Sequence, residues 1–328
     1  MQIHVIHENA AWLAPLAQAL DAEGLPWCDW FLDRGAFDLS KPPPEGVFYN
    51  RMSASSHTRD HRYSAELTAA VLAWLAGHGR RIVNGPRALD LEISKARQYA
   101  ALEGAGIRTP HSVLVAGRDE LVPADRDHFG DGPVILKPNR GGKGLGVRLF
   151  QSAEALASYV ESPEYEPPVD GLQLLQQYIR APQPVITRAE FIGGRFLYAV
   201  EVDTSDGFEL CPADQCTIDD AFCPVGEEPR AKFTIIDDID DIDDIDDIDA
   251  GLKRHYEAFL AANDIEVAGI EFIRDADGTP YTYDVNTNTN TNYNPEAEAR
   301  AGRSAMSALA RFLGTELARL SARREAAE

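Results

Sequence analysis

Residues 134–150, with the sequence VILKPNRGGKGLGVRLF, are the stretch that decides the fold. The apolar residues 134–136 predict a short strand, and residues 147–150 predict a second one. The loop between them holds four glycines in six positions, Gly141, Gly142, Gly144 and Gly146. The pattern therefore predicts two strands joined by a glycine-rich loop, with Lys137 at the end of the first strand.

The composition of this loop suits phosphate binding. Glycines let backbone N–H groups come close to phosphate oxygens, and Lys137 adds a positive charge. The spacing differs from a P-loop, because the segment has no Gly-Lys-Ser or Gly-Lys-Thr sequence. Lys95 is a further candidate cation, on a helix predicted to begin at an Asp90 cap. The alternative for Lys95 is an ordinary solvated helix lysine.

A second candidate site lies in residues 268–286. Two strand-like runs flank Asp277-Gly278, a strong signal for a hairpin turn. Pairing around this turn brings Glu271 close to Asp284, and Asn286 shares a strand face with Asp284 because side chains alternate. Two carboxylates and an amide oxygen are hard ligands suited to a Mg²⁺ ion that also holds phosphates. The alternative is that all three face solvent on an ordinary hairpin.

Residues 1–85 alternate strand and helix patterns, which predicts a small parallel sheet with helices on its faces. No Gly-x-Gly-x-x-Gly follows the first strand, so the dinucleotide fingerprint is absent. Arg51 and Ser53 follow the strand predicted at residues 46–49. Because the carboxyl ends of such strands border ligand crevices, both are candidates for binding a substrate carboxylate. The alternative is an ordinary loop arginine.

Turn and proline signals divide the chain into three parts, residues 1–85, 86–182 and 183–328. Pro182 marks the second boundary. An Ile-Asp-Asp repeat up to Asp249 has period three and a high charge density, which predicts a solvated loop, with acidic metal binding as the alternative.

The overall composition is that of a globular chain, with 44% hydrophobic and 26% charged residues in 328. A net charge of −22 without a basic cluster argues against binding to nucleic acid or an anionic membrane. No apolar run reaches the roughly 18 residues of a membrane span, and the first residues lack a signal-peptide pattern. The four cysteines lack the spacing of a zinc site, so we expect reduced thiols in a cytoplasmic protein.

The order of these motifs resembles that of the ATP-grasp superfamily. Residues 91–112, LEISKARQYAALEGAGIRTPHS, resemble its entry helix, and residues 134–150 resemble its glycine-loop hairpin. Residues 172–179, LQLLQQYI, resemble the hinge strand beside adenine, and residues 269–286, GIEFIRDADGTPYTYDVN, resemble the closing metal hairpin. The chain is most similar to the RimK-type glutamate ligases and the glutathione-synthetase-like group. The resemblance implies an α/β (α+β) fold, in which a parallel pre-grasp domain precedes two α+β subdomains that clasp ATP.

The resemblance also implies roles for individual residues. The ATP-binding residues would be Lys95, Lys137, Gly141, Gly142, Lys143, Gly144, Gly146, Gln177, Tyr178 and Ile179. Glu271, Asp284 and Asn286 would bind Mg²⁺, with two ions expected and Mn²⁺ as an alternative. Arg188, together with Lys137, would act in catalysis, facing the phosphoryl group or the acceptor. Asn288 is a candidate substrate ligand in an Asn/Thr segment where RimK-type ligases have Asn-Ser-Ser-Pro-Gly, which leaves the substrate open.

The implied function is ATP-dependent joining of a carboxylate to an amine through an acyl phosphate, with release of ADP and phosphate. An amino acid would be added to a small molecule or peptide, and a homo-oligomer is compatible with the family. One alternative is an ATP-grasp-fold kinase that phosphorylates a small molecule. The other is a nucleotide-binding module without turnover.

Overall fold

The computed structural model describes residues 1–142, 144–205, 233–236, 251–287, 298–299, 301–302 and 304–326. Several predicted features lie outside these residues: the Ile-Asp-Asp repeat from Asp237 onward, the Asn/Thr segment after Thr287, Asn288, Lys143 and three of the four cysteines. Within the described residues, no helix is long and apolar enough to cross a lipid bilayer.

The first sheet is parallel, with strand order β2-β1-β3-β4, as the alternation of strands and helices predicts. Its elements are β1 (Gln2–His7), α1 (Ala10–Ala22), β2 (Trp27–Phe31), β3 (Gly46–Asn50), α2 (Ser64–Gly77) and β4 (Arg81–Val83). Strand β2 was not predicted from the sequence. It is an edge strand without a fully buried residue, so it lacks the apolar run that marks the other strands.

Residues 86–104 form two helices, α3 (Pro86–Glu92) and α4 (Lys95–Gly104), where the sequence predicted one. The Ser94 hydroxyl caps α4 by accepting a hydrogen bond from the Arg97 backbone N–H at 3.4 Å. The prediction of an Asp90 cap is therefore wrong, because Asp90 lies inside α3. The break between the helices places Lys95 in the first turn of α4.

The second sheet is antiparallel, with strand order β5-β8-β6-β7. Its elements are β5 (Ser112–Ala116), α5 (Leu121–His128), β6 (Val134–Pro138), β7 (Arg148–Phe150), α6 (Ala153–Glu161) and β8 (Leu172–Gln177). The pairing of β6 with β7 confirms the predicted hairpin around the glycine-rich loop. Helix α5 is not among the helices that the sequence predicted. Only Leu121 and Asp125 of this helix are buried, so its apolar pattern is weak.

The third sheet has strand order β11-β10-β9-β12-β13. Its elements are β9 (Val185–Ile192), β10 (Arg195–Asp203), β11 (Phe233–Ile236), α7 (Leu252–Ala262), β12 (Val267–Arg274) and β13 (Pro280–Asn286). Strands β12 and β13 pair around the Asp277-Gly278 turn with Glu271 opposite Asp284, as predicted. A register shift follows this pair, so Tyr283 is an extra residue in β13, which is a β-bulge.

Helix α8 (Ala305–Glu325) packs on the first sheet, although the two are far apart in sequence. Its residues Leu309 and Leu313 are buried in one apolar cluster with Leu13 of α1 and Val47 of β3. The face of the sheet that α8 covers therefore depends on residues from the other end of the described chain for its burial.

Candidate active site

A cavity of about 430 Å³ lies between the second and third sheets. From the side of the second sheet it is lined by Lys137 of β6, the glycine-rich loop, and Tyr178 and Ile179 after β8. From the third sheet it is lined by Glu271 of β12 and Asp284 of β13. The two constellations predicted from the sequence therefore face one another across the same space.

Lys95 connects the two sides of this cavity. Its ammonium group donates a hydrogen bond to Asp284 Oδ1 at 2.6 Å, and the residue is only 9% exposed. Its backbone N–H donates to the carbonyl oxygen of Asn139 at 3.1 Å, which fixes the start of α4 against the glycine-rich loop. Lys95 is thus a buried cation inside the site, and the alternative of a solvated helix lysine does not apply.

Lys137 is a second buried cation, surrounded by aromatic side chains. Its Nζ donates a hydrogen bond to the hydroxyl of Tyr99 and lies 4.9 Å from the centre of that ring and 5.9 Å from the ring of Tyr283. Burial, reinforced by the charge of Lys95, lowers the pKa of Lys137 to about 7. Near neutral pH, this lysine is therefore divided between its charged and its neutral form.

The two carboxylates differ in their partners. Glu271 is 4% exposed and accepts a hydrogen bond from Arg188 Nη1 at 2.6 Å, while Arg188 Nε donates to Glu190 at 2.6 Å. Burial raises the pKa of Glu271 against the opposing charge of Arg188. Burial would also raise the pKa of Asp284, but the positive charges around it, with Lys95 foremost, hold it below its ordinary value. Asp284 is therefore ionised at neutral pH.

The donor set of this hairpin fits a hard divalent cation. Glu271 and Asp284 face each other across the β12–β13 pair, and Asn286 Nδ2 lies 3.4 Å from Asp284 Oδ2. No group of three His, Cys, Asp or Glu side chains that could hold a metal occurs in the described part of the chain. Two carboxylates with one amide oxygen leave coordination positions to be filled by water or phosphate, which is the arrangement Mg²⁺ prefers.

The glycine-rich loop contacts the N-terminal part of the chain. Gly144 and Gly146 both have φ of 75°, a conformation that favours glycine. A Cβ atom on Gly142 would lie 3.6 Å from Ser55 Oγ, so the loop backbone passes close to residues 53–56, a serine-rich segment after β3. Arg140, at the start of the loop, donates to Glu66 of α2 at 2.7 Å. These contacts hold the loop over the cavity.

Six of the predicted residues are outside the residues found to line the cavity, namely Gly146, Gln177, Arg188, Asn286, Arg51 and Ser53. The side chain of Gln177 is exposed, and its Oε1 accepts from the backbone N–H of His111 at 3.3 Å, so it is outside the residues found to line the cavity. Arg51 and Ser53 are buried at the end of β3, beyond the lining residues.

Sequence reasoning missed Tyr99, Tyr283, Gln176 and Glu92. The single proton of the Tyr99 hydroxyl is shared between Gln176 Oε1 at 2.8 Å and the carbonyl oxygen of Tyr283 at 2.9 Å, which ties α4 to both sheets. The β-bulge explains why Tyr283 and its neighbour Asp284 both line the cavity, since regular alternation would separate them. No local sequence signal marks this bulge.

Glu92 links the serine-rich segment to the end of the β12–β13 hairpin. One carboxylate oxygen accepts from the Ala54 backbone N–H at 3.2 Å, and the other accepts from the Thr287 backbone N–H at 2.7 Å and from its hydroxyl at 3.1 Å. Glu92 is 6% exposed. A single buried carboxylate therefore fixes where two candidate substrate segments lie relative to each other.

Glu92→Gln is expected to lower the free energy of unfolding by about 2 kcal/mol, because its amide NH₂ then faces an N–H donor in a buried place. Urea unfolding measures the change. Glu66→Gln serves as the matched control, since Glu66 is half exposed and its pair with Arg140 should contribute under about 1 kcal/mol. Equal effects of the two substitutions would contradict the linking role.

The chain is similar to known proteins in part of its sequence and in its fold. No protein-family model matches the chain. The chain is 27% identical over 139 residues to beta-citrylglutamate synthase B of Danio rerio, a match that covers 42% of this chain and 33% of that protein. The match thus spans about a third of the length of that curated relative.

Solved structures are similar over almost the whole chain. The ATP-grasp ligase PsnB in complex with a phosphomimetic precursor variant, Mg and ADP superposes with a TM-score of 0.60 at 17% identity, covering 96% of this chain and 98% of that one. A RimK domain ATP-grasp protein from Sphaerobacter thermophilus DSM 20745 gives 0.63 at 16% identity over 95% and 99%. D-alanine–D-alanine ligase from Bacillus anthracis gives 0.63 at 17% identity over 99% of both chains. The fold that the motif order implies is thereby confirmed, and the chain has the ATP-grasp fold.

Proposed function

We propose that the protein is an ATP-dependent ligase that joins a carboxylate to an amine and releases ADP and phosphate. One observation carries this proposal: two buried lysines, Lys95 and Lys137, face two carboxylates, Glu271 and Asp284, in one cavity. Cations for phosphates and oxygen ligands for a metal thus converge on the same space. The three parts of the chain, residues 1–85, 86–182 and 183–328, would supply the acceptor side, the phosphate-binding loop and the metal hairpin.

The chemistry explains why such a site is needed. A carboxylate resists attack by an amine, because oxide is a poor leaving group. Attack of a carboxylate oxygen on the γ-phosphorus breaks the bond to the bridging oxygen of ATP and releases ADP. The amine nitrogen then attacks the carbonyl carbon of the acyl phosphate, the bond to phosphate breaks, and the nitrogen loses a proton. Lys137, Lys95 and loop N–H groups would bind the phosphoryl oxygens as their charge increases.

Glu271, Asp284 and Asn286 would hold Mg²⁺, which neutralises charge on the transferring phosphate when it is bound. We expect two ions, with Mn²⁺ as a possible replacement. Lys143 and the loop glycines Gly141, Gly142, Gly144 and Gly146 would cover the phosphates and exclude water from the acyl phosphate.

The apolar end of the cavity suits a nucleobase. Ile135, Ile186 and Ile273 line it beside Tyr178 and Ile179. The chain after β8, from Gln177 to Ile179, would offer backbone hydrogen bonds to adenine, with the isoleucine side chains packing against its faces.

The acceptor would bind beyond the metal hairpin. Arg188 contacts Glu271 directly, so it lies next to the expected position of the phosphoryl group and would orient the reacting carboxylate. Ser53 and Asn288 are the proposed substrate ligands on the neighbouring segments. Among the structural neighbours, one PsnB structure contains precursor peptide PsnA2, and another neighbour is the D-cycloserine synthetase DcsG. We propose small-molecule or peptide substrates here, in a cytoplasmic enzyme that can form homo-oligomers.

The test is a coupling assay with ATP, Mg²⁺ and a panel of amino acids, dicarboxylic and tricarboxylic acids and short peptides. We expect ADP release that depends on both an acid and an amine, with a product by mass spectrometry whose mass equals their sum less water. A phosphorylated product without coupling would indicate a kinase instead. Nucleotide binding without ADP release across the whole panel would indicate a binding module.

A further inference from the structure

Arg188 lies between two buried carboxylates on one face of the third sheet. Its Nε donates a hydrogen bond to Glu190 at 2.6 Å, and its Nη1 donates one to Glu271 at 2.6 Å. Each of the three residues is at most 4% exposed. Glu271 is among the residues found to line the cavity, whereas Glu190 is not. The arginine is therefore bound on one side by a group of the nucleotide site and on the other by a carboxylate to which the proposed reaction gives no role.

The pairing of the strands explains this arrangement. Arg188 and Glu190 are two residues apart on β9, so their side chains project from the same face of the sheet. In the pairing of β9 with β12, Glu271 is opposite Arg188 and Gly269 is opposite Glu190. Strand β9 is the middle strand of its five-stranded sheet and is paired on both sides. The carboxylate of Glu190 is therefore presented from a fixed part of the fold.

Gly269 leaves the space in which the guanidinium lies. A Cβ atom on Gly269 would lie 2.2 Å from Nη2 of Arg188 and 2.4 Å from its Cζ, which is too close for any side chain. Gly269 is not among the described glycines with positive φ, so its backbone conformation does not itself require glycine. The close approach of the arginine is therefore what a side chain at this position would prevent.

The charges indicate what Glu190 contributes. A divalent cation bound to Glu271 draws that carboxylate away from Arg188, and a buried guanidinium with weakened pairing destabilises its surroundings. The cation and the arginine also repel each other at this short range. The carboxylate of Glu190 counters both effects, because it keeps its hydrogen bond to Nε and balances the charge of the arginine. Arg188 and a metal ion can then share Glu271.

We propose that Glu190 is a positioning residue that keeps Arg188 over Gly269, at the phosphoryl end of the cavity, while Glu271 binds the metal. This inference rests on the proposed ligase function, in which Glu271 holds Mg²⁺ and Arg188 acts on the phosphoryl group. It assigns to Glu190 two separable effects: its charge supports metal binding at Glu271, and its length sets the position of Arg188.

Two substitutions of Glu190 separate these effects. Binding of Mn²⁺ in the presence of ADP is followed by electron paramagnetic resonance, and kcat is taken from ADP release in the coupling assay. Glu190→Gln keeps the shape and removes the charge, so it should weaken Mn²⁺ binding about 10-fold and lower kcat about 30-fold. Glu190→Asp keeps the charge on a shorter side chain, so it should lower kcat about 10-fold and leave Mn²⁺ binding within about 2-fold. In both variants the KM of ATP should change less than about 2-fold.

A double-mutant cycle tests whether Glu190 acts through Arg188. Arg188→Met should lower kcat about 100-fold, and adding Glu190→Gln to it should lower kcat no further. The same double variant should bind Mn²⁺ nearly as well as the wild type, because the unbalanced arginine is no longer there.

Gly269→Ala should lower kcat as much as Arg188→Met, because the added methyl group displaces the guanidinium. Gly77→Ala at the end of α2 is its control. A Cβ atom there meets no atom of the described residues within 4 Å apart from its own helix and chain neighbours, so kcat should not change.

Glu316→Gln is the matched control for Glu190→Gln. Glu316 of α8 is 9% exposed and pairs with Arg81 at 2.8 Å, and it is outside the residues found to line the cavity. This variant should lose stability and keep the wild-type kcat and Mn²⁺ affinity. Glu190→Gln that lowers kcat equally with and without Arg188, or that changes neither quantity, would overturn the proposal. If Glu190→Gln does not fold, Glu190→Asp decides, and equal losses of kcat and Mn²⁺ binding in it would count against positioning.

If the wild type couples no acid to any amine, the ligase proposal fails and the Mn²⁺ measurements with ADP test Glu190 by themselves. Binding that is weakened in Glu190→Gln and restored when Arg188→Met is added supports the role of Glu190. Binding that is absent in the wild type, or equal in all variants, overturns it.

Discussion

Asp284→Ala is expected to lower the kcat of ADP release about 1,000-fold, because it would remove a proposed ligand of the Mg²⁺ ion that neutralises charge on the transferring phosphate. The carboxylate is ionised at neutral pH, since the surrounding cations hold its pKa down. It also pairs with Lys95 at 2.6 Å, so the substitution leaves a buried ammonium without that partner. We therefore expect a modest loss of stability in addition to the loss of turnover, with the fold retained by circular dichroism.

Asp277→Ala is the matched control for this experiment. Asp277 lies in the exposed turn of the same hairpin, seven residues before Asp284 on β13. Turnover in this variant should stay near the wild-type rate. Mg²⁺-dependent turnover that survives in Asp284→Ala would contradict the metal assignment.

Lys137→Met is expected to lower kcat/KM for ATP about 100-fold, because a neutral side chain of similar length cannot bind the phosphoryl oxygens. In the nucleotide-free protein, the pKa of Lys137 is about 7. Its charge is present below that pH and is lost as the pH rises through it. Binding of anionic ATP above pH 7 must therefore include uptake of a proton, and the affinity for ATP should fall as the pH rises from 7 towards 9.

Titration calorimetry in buffers of different ionisation enthalpy measures this proton uptake directly. The pH dependence should disappear in Lys137→Met and remain in Lys41→Met, a surface lysine whose side chain is 78% exposed. An affinity of the wild type for ATP that does not change with pH would refute the role of Lys137 in phosphate binding.

The same pKa of Lys137 affects the stability of the fold. Between about pH 7 and pH 10 the unfolded state binds more protons at this lysine than the folded state, so stability without nucleotide rises with pH in that window.

Local signals were sufficient for the two hairpins. The Asp277-Gly278 turn and the glycines around Lys137 fix short-range pairing, and the structure pairs the strands as these signals predict. The break between α3 and α4 was not predicted, because Ser94 could be recognised as a cap only once the chain is known to turn there. Strand β2 and helix α5 were missed since both lack a strong apolar period.

The charged residues of the site were predicted from the sequence, whereas the residues that hold them in position were not. Lys95, Lys137, Glu271 and Asp284 were identified from the glycine-rich loop, the helix before it and the Asp-Gly hairpin, and they line one cavity. Tyr99 and Glu92 were not, because each acts through contacts with residues far away in sequence. Glu92 binds Thr287, 195 positions later, and no feature of the residues around Glu92 indicates that partner.

The packing of α8 on the first sheet has a consequence for biosynthesis. Strands β1 and β3 leave the ribosome early, whereas the helix that covers their apolar face follows roughly 250 residues later. Because protein synthesis adds about 5–20 residues per second, the apolar face of the sheet stays uncovered for about 10–50 seconds. During translation the nascent sheet would therefore expose an apolar face that chaperones can bind, and slower translation between β4 and α8 would lengthen that exposure.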